Sequence, residues 1–156
     1  MNDTISTWLR SLSPPLFVIV ILLASYAIVL PYIALQAFIP QLEVGQGPTH
    51  MHSMGLVGRL LIGSLIAPVV ETALFQWAPI RLLRGKFVLP WPLVLLVSAA
   101  LFAWSHTYSI GYVLVAFLVG LVLAYCYAVR NGPGQRPFLL TCVVHGLRNA
   151  VASVYF

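Results

Sequence analysis

Five apolar runs, each near twenty residues, leave this chain very few ways to fold; they fall at about 16–39, 55–79, 89–109, 110–129 and 137–156. A helix of ~20 residues crosses the ~30 Å hydrocarbon core of a bilayer. Helices and closed barrels alone satisfy their backbone hydrogen bonds in lipid. Pro14 and Pro15 open the first run, and Pro31 inside it predicts a kink. Pro90 or Pro92 opens the third and Pro137 the fifth. The first run is too long, and lacks the small-residue exit, for a cleaved signal peptide. Only 7% of residues are charged, against about a quarter in soluble domains. The expected fold is all-α: a polytopic membrane bundle of about five transmembrane helices, forming one integral-membrane domain over 1–156. Gly63, Gly111 and Gly120 are placed for close helix approach.

Charge sets the expected orientation. Eight Lys and Arg stand against three acids, Asp3, Glu43 and Glu71. The basic residues are spread between apolar runs rather than gathered on a polar face, which argues against nucleic acid as a partner. Arg10, Arg81, Arg84, Lys86, Arg130 and Arg136 all fall on one side of the membrane if the N-terminus is cytoplasmic. The opposite loops, 40–54 and 107–110, contain no Lys or Arg, and Arg59 lies just inside the outer end of the second run. Cys126 and Cys142 sit inside apolar runs without C-x-x-C spacing and read as buried neutral thiols.

The polar residues left at depth are Glu71, Gln76, His106, His145, Arg148 and Asn149. Ionisable groups inside a span cost at least a few kcal/mol, so they point to function. Glu71 is the only acid in any run, ~15–18 Å from the basic residues at either end of its helix. His145 and Asn149, at i and i+4, share a helix face. His106, with Phe102 one turn below it, falls at a comparable depth. Taken singly, these residues have plainer readings: Asn149 as an interhelical hydrogen-bonder, a lone His packed between helices, Glu71 as a proton or ion carrier. His50 and His52, in Thr-His-Met-His, read as solvated loop residues or, at most, a metal clip. No Asp lies in a span, so an aspartyl dyad is excluded, and neither H-E-x-x-H nor G-x-S-G is present. Glu71 as base, with imidazole and amide partners, remains.

These residues also fall in a recognisable order. Glu71-Thr-Ala-Leu-Phe-Gln76, Phe102-Ala-Trp-Ser-His106 and His145-Gly-Leu-Arg-Asn149 resemble the CPBP family, the CAAX-protease and bacteriocin-processing intramembrane proteases formerly called Abi. Its motifs are E-E-x-x-x-R, F-x-x-x-H and H-x-x-x-N, each on a membrane helix. The second and third are matched in full. In the first, Thr72 replaces the second Glu and Gln76 replaces the Arg, which removes one charge of each sign and leaves a pair able to keep a hydrogen bond. Arg148, outside the pattern, would restore a cation near Glu71, hold a substrate carboxylate, or snorkel out of its helix.

The resemblance implies an intramembrane endopeptidase of the glutamic type, free of cofactor. Glu71 would take a proton from water with help from His106, and His145 and Asn149 would donate to the developing oxyanion. Phe102 would pack the cavity wall, with Thr72, Gln76 and Arg148 in support. Glu71, His106 and His145 also make up the two-His-one-carboxylate set of catalytic zinc, so a zinc-dependent protease is the alternative. A non-catalytic binding or immunity protein and a proton-coupled carrier are the others. The resemblance implies a membrane-anchored protein or peptide as substrate and the bilayer as medium. A chain this short looks like the small prokaryotic members of the family, which implies the bacterial cytoplasmic membrane; some of those members serve sorting systems that read C-terminal tags. Oligomeric state is not encoded in any of these residues.

Overall fold

The computed structural model describes residues 3–45 and 53–155, and all regular structure among them is helical. Helix α1 spans Thr4–Ser11 and α2 spans Pro14–Ala27, continued after a two-residue break by α3, Leu30–Gln36. The break falls one turn before Pro31, whose ring crowds the carbonyl four residues back. Helix α4 runs Leu56–Gly85, α5 is Trp91–Trp104, α6 is Ile110–Val129 and α7 is Pro137–Tyr155. Among the described residues, four stretches are long and apolar enough to cross a membrane: Pro14–Gln36, Leu56–Gly85, Ile110–Val129 and Pro137–Val154. The chain is a polytopic helical membrane bundle.

Two expectations need correction. The third run, expected to span 89–109, is a helix of 14 residues ending at Trp104, ~21 Å long. Ser105 Oγ and His106 Nδ1 both reach the Phe102 carbonyl, at 2.7 Å each. They capture the acceptor that the backbone N–H of His106 needs to extend the helix. That N–H bonds Ala103 instead, and a turn over 105–108 follows. The second run, expected to end near 79, continues to Gly85.

Helix α1 is an element that the apolar runs do not announce. Asp3 caps it by accepting from the backbone N–H of Ser6 at 2.8 Å, and that bond holds the Asp3 carboxyl below its usual range. Arg130, buried at the end of α6, donates to the carbonyls of Leu9, Arg10 and Leu12 and lies over Phe17 at 4.2 Å. Arg10 returns a bond to Val129.

The core is shared by α2, α5, α6 and α7 through Phe17, Ile21, Phe102, Leu123 and Val144. Gly120 lets α6 close on α5: an added Cβ would lie 3.1 Å from the Cα of Ala99. Leu23, Ile33, Leu65, Leu74 and Ile110 face outward and are more than half exposed, a surface suited to lipid. Contacts among Ile80, Val94, Ala124 and Tyr127 bring the Arg81–Lys86 segment to the end of the bundle that holds Arg130 and Arg10. Six of the eight basic residues, Arg10, Arg81, Arg84, Lys86, Arg130 and Arg136, therefore fall at one end of the bundle. At the other end, Ser109 caps α6 and donates to Val44 at 2.6 Å, tying down residues 43–45.

Helix α4 carries the backbone feature that shapes the site. Arg59–Ile66 and Thr72–Trp77 are π-helical, and each π segment stops just short of a proline, Pro68 and Pro79. Proline lacks an N–H and crowds the preceding turn. The wider i→i−5 register just upstream accommodates it, as in the N–H of Ala67 on Ile62 and that of Ala78 on Ala73. Such π turns gather at functional sites, and Glu71 lies between these two.

Candidate active site

Three of the sequence-predicted residues converge. Nε2 of His145 lies 3.4 Å and Nε2 of His106 lies 3.9 Å from the same Glu71 oxygen, Oε2. Glu71 comes from α4, His145 from α7, and His106 from the turn after α5. The Glu71 side chain is 25% exposed and His145 only 3%, so the carboxylate is reachable while the second imidazole is locked in packing.

Hydrogen bonding decides which ring nitrogens carry protons. His106 Nδ1 faces the Phe102 carbonyl at 2.7 Å. A carbonyl only accepts, so Nδ1 is the protonated nitrogen and Nε2 presents a lone pair toward Glu71. His145 is the reverse case. Its Nδ1 is buried with no hydrogen-bond partner, and an orphaned N–H there would cost more than an orphaned lone pair. The proton belongs on Nε2, which faces the carboxylate. One imidazole accepts and the other donates.

Phe102 is the hub that aligns them. Its ring meets Phe75 at 5.9 Å, His106 at 4.4 Å and His145 at 5.5 Å. Tyr112 stacks on the far side of His106 at 5.9 Å; sequence reasoning missed it, because a tyrosine at the start of an apolar helix carries no separate signal.

Asn149 and Arg148 sit elsewhere. The Asn149 side chain donates to the Gly63 carbonyl at 2.8 Å. Gly146, also missed in the sequence, presses α7 onto α4: an added Cβ would lie 2.5 Å from the Ser64 carbonyl oxygen. Arg148 turns to α2, donating to Ser25 and lying over the Tyr26 ring at 4.7 Å. It makes no ion pair with Glu71 among the described residues. Of the readings open to Arg148, a cation paired with Glu71 is the one this geometry does not show, the guanidinium being held by a backbone carbonyl and an aromatic face.

The hydrogen bond expected between Thr72 and Gln76 is not formed. Thr72 turns toward Cys142 on α7, and both amide atoms of Gln76 are buried without a partner. Replacing such a group by an apolar one of similar shape removes its desolvation cost of about 1–3 kcal/mol. Gln76→Met should therefore raise the unfolding temperature in detergent; a lowered one would show that Gln76 holds a partner in solution.

Among the described residues, no three His, Cys, Asp or Glu side chains are arranged to hold a metal ion. His50 and His52 lie outside the described residues.

Residues 53–151 match the family model described as type II CAAX prenyl endopeptidase Rce1-like. The chain belongs to the Rce1-like family. The matched segment contains Glu71, His106, His145 and Asn149. Membership supports a CAAX-type intramembrane endopeptidase activity and agrees with the CPBP resemblance of the three motifs. No match was found among curated proteins or among solved structures.

Proposed function

We propose that this Rce1-like protein is a metal-independent, glutamic-type intramembrane peptidase that hydrolyses a membrane-anchored protein or peptide. The observation that carries the reading is the approach of two imidazoles of opposite hydrogen-bonding sense to the single intramembrane carboxylate.

A water positioned between Glu71 and His106 explains the 3.9 Å separation, too long for a direct hydrogen bond and suited to a bridging one. Such a water donates one hydrogen to the lone pair of His106 Nε2 and the other to Glu71. Glu71 takes the proton as the water oxygen attacks the peptide carbonyl, whose π pair moves onto its oxygen. The Nε2–H of His145 donates to that oxyanion, an effect worth about 3–4 kcal/mol. Glu71 then delivers the proton to the leaving nitrogen as the C–N bond breaks, giving a carboxylic acid and an amine.

Orientation follows from the basic cluster. With Arg10, Arg84, Arg130 and Arg136 on the cytoplasmic side, the His106 turn faces the outer half of the membrane. We assign the substrate as single-pass or lipid-anchored, in keeping with a C-terminal-tag sorting role in a bacterial cytoplasmic membrane.

The test compares protein termini in membranes from cells making the native chain or Glu71→Gln at equal abundance. New termini found only with the native chain support the peptidase and identify its substrate. Identical termini, with both proteins folded, overturn it and favour a binding or immunity role, for which the loss of both first-motif charges at Thr72 and Gln76 would be the cause.

A further inference from the structure

We infer that Asn149 is a positioning residue: its side-chain N–H occupies the Gly63 carbonyl that Pro68 leaves without a partner, and so seats α7 on α4 with His145 against Glu71. The register of the π turn leads to this. The N–H of Ala67 bonds Ile62, five residues back. The next bond of that ladder would run from residue 68 to Gly63, and residue 68 is proline. A carbonyl without a donor inside a bilayer is costly. Asn149 Nδ2 reaches it at 2.8 Å from the neighbouring helix.

Ser98 of α5 likewise donates to a carbonyl of α4, that of Phe75, at 2.5 Å. Side chains of adjacent helices thus reach the α4 backbone on either side of Glu71 in sequence. On α7 the contact sits one turn beyond His145. Gly146, between them, allows the backbone approach that the Asn149 bond requires. Asn149 thus acts through α4 and His145, with one of its two amide hydrogens committed to the Gly63 carbonyl.

Restoring the missing N–H separates the two roles. In Pro68→Ala, residue 68 can again donate to Gly63, and Asn149 becomes less necessary if its task is that carbonyl. The loss of cleavage caused by Asn149→Leu should then be roughly fivefold or more smaller in the Pro68→Ala background than in the native chain, as coupled neighbours allow. Equal losses in both backgrounds overturn the inference, since an oxyanion donor is not replaced by an N–H on α4.

This arm rests on the peptidase reading; a second does not. Gly63–Ser64 is the only Gly–Ser pair in the sequence, so carbonyl-13C glycine with 15N serine gives one selectable signal for the Gly63 carbonyl. That signal should move upfield in Asn149→Leu and return in the Pro68→Ala double variant. Asn149→Ala serves in its place where the leucine variant does not fold. A signal that stays put on removing the Asn149 amide overturns the inference whether or not the protein cleaves anything.

Discussion

Glu71→Gln should insert and fold like the native chain and cleave about a thousandfold more slowly, within the range for losing a general base. Glutamine keeps the shape and still offers an oxygen to the Nε2–H of His145, so packing around Phe102 is preserved. It cannot take the proton from water. The loss should therefore appear in kcat, with KM and the unfolding temperature close to native. Glu71→Asp adds a second reading of the same point. One methylene less withdraws the carboxylate from both imidazoles, 3.4 and 3.9 Å away, so activity should also fall although a base is still present. A Glu71→Gln protein with native kcat would remove Glu71 from the chemistry.

Gly146→Ala should lower activity about a hundredfold without touching any group that reacts. The new Cβ would stand 2.5 Å from the Ser64 carbonyl oxygen, where C···O contacts settle near 3.3–3.6 Å. That oxygen belongs to the backbone of α4 and cannot rotate away, so α7 has to shift by about 1 Å. His145 is the adjoining residue and moves with it. A misplacement of ~1 Å can lower catalysis ~10²-fold, and overpacking of this kind costs about 1–3 kcal/mol of stability. Activity measured beside an unfolding curve checks both numbers. Gly85→Ala is the control, because an added Cβ there meets nothing within 4 Å. Native activity in Gly146→Ala would show that the α4–α7 contact is looser than described.

Much of the architecture was legible because a bilayer imposes length and apolarity on each span. The runs at 110–129 and 137–156 coincide with α6 and α7, since Arg130 and Pro137 mark their ends in the sequence itself. Helix α1 escaped because it is short and mixed in polarity; the Asp3-x-x-Ser6 cap was its one local sign. The end of α5 was misplaced because it depends on the side chains of Ser105 and His106 competing for one carbonyl, which apolarity does not register.

Within the site, the meeting of Glu71, His106 and His145 was legible from depth: rare polar residues at similar heights on packed helices have few places to go but toward each other. What Arg148, Thr72 and Gln76 touch was not legible, because Ser25, Tyr26 and Cys142 lie on other turns or helices and only packing brings them near. The role of Gly146 was hidden for the same reason. Asn149 lay between these cases. Its face was readable from the four-residue spacing to His145, whereas its partner depended on a π register set by Pro68.

The most direct measurement places the purified chain in liposomes with its membrane-anchored substrate, in oxygen-18 water, in the presence and absence of a strong zinc chelator. The expected result is a product whose new carboxyl group carries one oxygen-18, formed by the native protein with or without chelator and absent with Glu71→Gln. Cleavage that stops on chelation would contradict metal independence, and cleavage that survives in Glu71→Gln would contradict the role of Glu71.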